Sequence, residues 1–328
     1  MERAVDLETL LRNAARLTRD ASAGTSRDGS DGPRSARRVI AVPMAENEEI
    51  IRCIAEASDQ MIADFILIGD REKIEKTAAA CGVSIGTAEF IPETDPIAAC
   101  AKAAELASSG KADILMKGLV QTSDFTRAIL NHQYRLIDEQ RLISHVAVFE
   151  IPAYHKILIV TDAAINVAPG LEQKIVLVQN AVWVARSLGI SRPNIACVAP
   201  SEKVSPKIQS TVDAAEIVRR NEEGALVEQL GDVEIAGPFG FDVAVSTEAA
   251  EIKCVASPVA GNADILLLPN LEAGNVLYKS LTLFGGAKVA GIVAGARVPV
   301  VLTSRADSEQ SKLLSVLLAV AGASMPGQ

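Results

Sequence analysis

Short apolar runs that stop at a proline or glycine and lead into a helical pattern recur along this chain, and that alternation restricts its fold more than any other feature. The run Ile265-Leu266-Leu267-Leu268 has no polar residue to alternate with, so it fits a strand buried on both faces. Pro269 cannot donate to a ladder and ends the strand. A polar turn follows, then Val276, Leu277, Leu281 and Phe284 recur at helical spacing. The same unit is repeated from Arg38 onward. Val39-Ile40-Ala41-Val42 ends at Pro43 before a helix through Ile50, Ile51, Ile54 and Ala55. Phe65-Ile66-Leu67-Ile68 ends at Gly69-Asp70 before a helix through Ile74, and an Ala-rich helix over 97–107 precedes Asp113-Ile114-Leu115-Met116-Lys117-Gly118. Alternation of this kind predicts an α/β fold, a parallel sheet with helices on both faces.

The second half starts with two neighbouring strands, 145–151 and 157–162. Pro152 and Tyr154 lie in a connection short enough for a hairpin, so the sheet is expected to be mixed. Then come a helix over 171–188, a strand over 195–198, a helix after Pro206 and a rigid turn at Gly237-Pro238-Phe239-Gly240. Strands over 290–295 and 298–302 precede a last helix carrying Leu313, Leu314, Leu317 and Leu318. Ala112-Asp113-Ile114-Leu115 and Ala263-Asp264-Ile265-Leu266 echo each other without a fixed period, which reads as two equivalent sheet edges rather than a true repeat.

A length of 328 residues leaves room for two domains. Hydrophobic residues make up 49%, yet no stretch of 18 uninterrupted apolar residues occurs, so no membrane partner is expected. Met1-Glu2-Arg3 with Asp6 and Glu8 lacks an export signal, and a cytoplasmic location is expected. A net charge of -9 argues against nucleic acid, so an anionic ligand would need local donors. The five cysteines form no CxxC pair, and His132, His145 and His155 lack metal-ligand spacing; no metal site is expected. Residues 1–18 are expected to form an amphipathic helix with Leu7, Leu10, Leu11, Ala14 and Leu17 along one side, and 21–37 have the Gly/Ser/Asp/Arg composition of a linker.

In open parallel sheets ligands bind beyond the carboxyl ends of strands, where Asn270, Glu272 and Asn275 would sit. Asn270 and Glu272 could equally cap the following helix. Ser304 and Arg305 fall between the last strand and the last helix. There a hydroxyl, a guanidinium fork and a helix N-terminus together suit a phosphate. Asp307 is either a catalytic group or the N-cap of that helix, with Gln310 completing a capping box. Lys117, Thr122 and Arg127 form a third group able to contact phosphates, although Lys117 alone could be a surface lysine. Neither a P-loop nor a dinucleotide fingerprint is present.

Taken together, several motifs resemble the phosphate acetyltransferase and phosphate butyryltransferase family. They are Lys117-Gly118-Leu119, Gly237-Pro238-Phe239-Gly240-Phe241-Asp242, Ser257-Pro258-Val259-Ala260-Gly261, Pro269-Asn270-Leu271-Glu272-Ala273-Gly274-Asn275 and Ser304-Arg305. The resemblance runs from about residue 38 to 318. Ser144-His145-Val146-Ala147-Val148-Phe149-Glu150 and the stretch 298–305 look closer to the butyryl branch.

The resemblance implies a two-domain fold with parallel or mixed sheets, like isocitrate and isopropylmalate dehydrogenases, and a homodimer. The expected division is an N-terminal helix and flexible linker at 1–37, a discontinuous domain I at 38–148 plus 294–328, and domain II at 149–293. The implied reaction moves a short acyl group reversibly between CoA and inorganic phosphate, giving acyl phosphate, with CoA as substrate and no permanently bound cofactor. Arg305 would hold phosphate, Ser304 would bond the phosphate or the oxyanion, and Asn275 would orient the acyl group. Lys117, Thr122 and Arg127 would meet CoA. The aspartate that acetyl-type members carry beyond the Ser-Arg pair is Ser311 here, leaving Asp307 or Glu309 as the candidate base. Two alternatives stay open: a non-catalytic CoA- or acyl-phosphate-binding regulator, and a metal-dependent decarboxylating dehydrogenase of the same fold.

Overall fold

A computed structural model of the chain describes residues 6–22, 37–138, 141–302, 308–323 and 325. Helix α1 (Leu7–Ser22) buries Leu7, Leu11 and Ala14, four and seven residues apart, along one side. Leu17, expected on the same stripe, is 68% exposed. The chain continues through β1 (Arg38–Pro43), α2 (Glu48–Asp59), β2 (Ala63–Gly69), α3 (Arg71–Cys81), β3 (Glu89–Pro92), α4 (Pro96–Ser108), β4 (Ile114–Met116) and α5 (Thr122–Leu130). It proceeds with β5 (Ser144–Glu150), β6 (Leu158–Thr161), α6 (Leu171–Ser187), β7 (Asn194–Val198), α7 (Gln209–Glu222), α8 (Val227–Leu230) and β8 (Glu234–Phe239). Last come α9 (Phe241–Val245), α10 (Thr247–Ile252), β9 (Ile265–Leu267), α11 (Leu271–Leu283), β10 (Lys288–Ala294), β11 (Val300–Val301) and α12 (Glu309–Gly322).

Two compact units result, Leu11–Arg141 with Ala290–Gln328, and Met1–Leu10 with Leu142–Val289. In the 11–141 unit the strand order is β3-β2-β1-β4-β11-β10, parallel except where β10 meets β11. In the 142–289 unit it is β5-β6-β9-β7-β8, parallel except for the β5/β6 pair. The expected hairpin is therefore present, with Phe149 opposite Leu158 and Val146 opposite Thr161. The architecture is α/β with mixed sheets.

Local chemistry explains where the helices begin. Asn47 accepts the Ile50 N–H to start α2, Asp70 accepts the Lys73 N–H to start α3, and Asp95 with Pro96 behind it starts α4. The interiors of β1, β2, β4, β6 and β9 are buried, as uninterrupted apolar runs require. Each wholly buried Ile, Leu or Phe removes enough apolar surface from water to contribute about 1.5–3 kcal/mol. The core of the 142–289 unit gathers Phe149, Leu158, Val160, Leu266, Val243 and Phe239. Tyr154 fills the hairpin connection and donates its hydroxyl to the Ala263 carbonyl at 2.7 Å.

Two sequence expectations are corrected and one strand is new. Gly237-Pro238-Phe239 is the end of strand β8 rather than a turn. Its proline is tolerated because β8 lies at the end of the strand order, and Gly237, at φ +148°, leaves no room for a Cβ against Cys197. Strand β3 was not anticipated, because a four-residue end strand with two exposed positions carries little apolar signal. The echoing Asp-Ile-Leu segments begin β4 and β9, both interior strands rather than edges. Among the described residues no helix is long and apolar enough to cross a membrane.

Candidate active site

In the 142–289 unit, β9 stops before Pro269 and Asn270 caps α11, its Oδ1 accepting the Ala273 N–H at 3.0 Å. The helix start thus accounts for Asn270. Glu272 is exposed in the first turn, where a negative charge suits the helix dipole. Asn275, half-buried one turn on, points its Nδ2 at the Ala163 carbonyl, 3.2 Å away.

Ala163 belongs to the loop that leaves β6, and Asp162 organises that loop. Its carboxylate, 2% exposed, accepts N–H groups from Ala164 at 2.8 Å, Ile165 at 3.0 Å and Asn166 at 3.2 Å. It also takes the side-chain amide of Asn166 at 2.6 Å. Sequence reasoning missed Asp162 by ending the strand on it. The available signal was an aspartate closing a buried run with an asparagine four residues later.

Beyond β7 and β8, Glu202 accepts the Gly240 N–H at 3.0 Å and Lys253 at 2.9 Å, while Asp242 takes the same lysine at 3.0 Å. The lysine hydrogen bond holds Glu202 and Asp242 below the usual carboxylate range, and those two carboxylates raise Lys253. This cluster ties the Gly-Phe-Asp stretch to its neighbours.

In the 11–141 unit, Lys117 follows β4 directly, and its backbone N–H donates to Val301 of β11 at 3.0 Å. Its Nζ reaches the Gly118 carbonyl at 3.3 Å. Gly118 must be glycine, since a Cβ would lie 2.2 Å from the Pro43 carbonyl oxygen. Thr122 is the first residue of α5, and Arg127, in its last turn, pairs with Asp124 at 3.1 Å from an exposed position. An outward-facing guanidinium and an exposed hydroxyl can each hydrogen-bond an anion. Cys100, on α4, is pushed up to about 11, by burial first and then by Asp124, against the pull of Lys117. It is therefore a neutral thiol at physiological pH.

Ser304, Arg305 and Asp307 lie outside the described residues. The N-cap of α12 is Ser308, whose Oγ accepts the Ser311 N–H at 3.1 Å, so the capping box suggested around Asp307 and Gln310 does not start this helix. Ser311 is engaged in that cap, its hydroxyl 3.0 Å from that of Ser308. Glu309 stands 3.7 Å from Arg52 in a solvent-exposed pair. Among the described residues no cluster of three or more His, Cys, Asp or Glu has metal-binding geometry.

Comparison with known proteins assigns the family. A family model described as phosphate acetyl/butaryl transferase matches residues 97–320. A phosphate butyryltransferase of Clostridium beijerinckii is 43% identical over 280 residues, covering 85% of this chain and 91% of that protein. A phosphate acetyltransferase of Rhizobium meliloti is 42% identical over 266 residues, or 80% of this chain and 82% of that one. Among solved structures, a branched-chain phosphotransacylase from Enterococcus faecalis superposes with a TM-score of 0.75 at 34% identity, covering 87% of this chain and 99% of the other. A family match over more than half of the chain, with relatives aligned along most of it, means that this protein belongs to the phosphate acetyl/butyryl transferase family.

Proposed function

We propose that the protein is a phosphate acyltransferase that moves a short acyl group reversibly between CoA and inorganic phosphate within a ternary complex. The observation that carries this is 43% identity to a phosphate butyryltransferase across 91% of that enzyme. The regulator and dehydrogenase alternatives draw no support from these relatives.

In the forward direction a phosphate oxygen attacks the thioester carbonyl carbon. The C–S bond breaks, and the departing CoA sulfur takes up a proton. In reverse the CoA thiol attacks acyl phosphate and must lose its proton, which needs a base or a favourable field because a thiol pKa is about 8.5. Either direction builds an oxyanion that neutral donors and a guanidinium stabilise. We assign phosphate to Arg305, the phosphate or oxyanion to Ser304, acyl orientation to Asn275, proton transfer to Asp307, and CoA contact to Lys117, Thr122 and Arg127. Family membership supports these roles, as does the position of Lys117, Thr122 and Asn275 close beyond strand ends in their respective units.

The same proposal includes the isocitrate/isopropylmalate dehydrogenase-like arrangement, with domain I at 38–148 plus 294–328 and domain II at 149–293. It also includes a cytoplasmic location and a homodimer. A second copy would give the exposed Val276 and Leu283 of α11, and Phe284 just after it, an apolar partner surface.

Release of free thiol from acetyl-, propionyl- and butyryl-CoA with phosphate tests the activity and ranks the acyl groups. Arg305→Ala should raise the phosphate requirement and cut turnover at least about tenfold, equivalent to about 1.4 kcal/mol. No phosphate-dependent thiol release from any of the three by the unaltered protein would overturn the activity, and unchanged kinetics in the variant would remove Arg305 from it.

A further inference from the structure

The loop leaving β6 is built around one buried carboxylate. Three consecutive backbone N–H groups, from Ala164, Ile165 and Asn166, and the Asn166 side-chain amide all converge on Asp162. The Asn166 amide also donates to the Ile143 carbonyl at 2.9 Å, anchoring the loop to the start of the hairpin. A loop wound around its own aspartate has its remaining backbone groups aimed by that winding. Here the Ala163 carbonyl is aimed at α11, where the Asn275 Nδ2 donates to it at 3.2 Å. Gly274 makes this approach possible, because a Cβ there would lie 2.1 Å from the Asp162 carbonyl oxygen.

A carbonyl accepts only from the nitrogen end of an amide, so this hydrogen bond selects the Asn275 flip state. Among the described residues Asn275 makes no other side-chain hydrogen bond. Its Oδ1 and second N–H are left for a ligand, in an orientation set from behind.

We propose that Asp162 is a positioning residue: through the Ala163 carbonyl it fixes which edge of the Asn275 amide meets the acyl group. This rests on the acyltransferase function proposed above. It adds to that function a carboxylate that touches no substrate yet controls an amide that does. Side chains held in advance of reaction need no reorganisation when the substrate is in place.

A double-mutant cycle tests the coupling. Asp162→Asn keeps the shape but sets an amide against the N–H groups of the loop. It should lower kcat about tenfold while leaving KM for CoA within about twofold, and Asn275→Ala should do the same. The double variant should be no slower than Asn275→Ala alone. Additive losses in the cycle, or a fall in thermal midpoint with kcat unchanged, would overturn the proposal. Should Asp162→Asn not fold, Asn166→Ala takes its place in the cycle with an expected loss of about threefold. A measurement without substrate separates this proposal from the proposed activity: the side-chain 15N resonance of Asn275 should shift on substitution at Asp162 or Asn166. An unmoved resonance defeats the positioning role even in an active enzyme, whereas absence of thiol release in the unaltered protein defeats the proposed activity.

Discussion

Strands β4 and β9 open on the same device and close on different ones. Asp113, just before β4, donates its N–H to the Val39 carbonyl at 2.8 Å and accepts the Val39 N–H at 2.9 Å. Asp264, just before β9, does the same with Asn194 at 2.8 Å in both directions. Each aspartate thereby joins its strand to the first residues of a parallel neighbour, β1 in one unit and β7 in the other. The counter-ions differ: Lys156 lies 2.8 Å from Asp264, whereas Arg38 stands 3.5 Å from Asp113.

At the far ends, Gly118 and Gly274 each press backbone against a neighbouring carbonyl. In the 11–141 unit the clamp and the glycine both serve β1 and the residues directly following it. In the 142–289 unit they serve opposite flanks of β9, the clamp on β7 and the glycine on the loop after β6. The echo in the sequence therefore marks a shared way of starting a buried strand, while the residues that follow the two strands differ. Lys117 follows β4 in one unit, and Asn270 and Asn275 follow β9 in the other.

The largest effects should come from the glycines. Gly118→Ala and Gly274→Ala should each cost about 4 kcal/mol or more of unfolding free energy in a urea titration, because the new methyl meets backbone that cannot step aside. A cost under about 1 kcal/mol at either site would break the parallel between the two strand ends.

Smaller losses should separate the clamps. Asp264→Ala, which removes the acceptor of a part-buried N–H and the carboxylate beside Lys156, should cost about 3 kcal/mol, and Asp113→Ala about 1.5 kcal/mol. The opposite ranking would show that the counter-ion distance is irrelevant.

A weaker effect belongs to the docked start of α1. The Lys288 hydrogen bond, helped by the Thr9 N–H and hydroxyl, lowers Asp6 from 3.8 to about 2. Because the folded value is depressed, this contribution is present above about pH 4 and lost as pH falls from about 4 to 2. Asp6→Asn should remove that pH dependence and cost less than about 1 kcal/mol at neutral pH, since the pair is partly exposed. Denaturant titrations at two pH values would check both statements.

Thiol labelling should perturb stability least while still sharpening the comparison. Burial pushes Cys53 and Cys197 up to about 12, so both should resist labelling in the native protein, as should Cys100. Exposed Cys254 should react first, placing the accessible thiol in the 142–289 unit. Mass spectrometry of labelled peptides reads the order directly.

The alternation of apolar runs and helical spacing was enough to locate most strands and helices, because a strand buried on both faces must be apolar throughout. Tyr154 and Pro152 marked the hairpin for the same local reason. Strand β3 escaped because an end strand with exposed positions needs little apolar character. Strand β8 escaped because Pro238 reads as a turn until its place in the strand order is known. Among candidate residues, Asn275 and Lys117 were singled out by their position after buried strands. Asp162 was not, since an aspartate closing a buried run with an asparagine four residues on is a faint local signal beside the four donors that the fold brings to it.

By itself the amino-acid order determined the α/β class, the family and the residue types offered at strand ends, all of which follow from patterns a few residues long. Only the tertiary structure decided that Asn275 faces a carbonyl 112 positions away. It also decided that two similar aspartates clamp different neighbours. Partners so distant along the chain are chosen by strand order and packing, which no short stretch of sequence encodes.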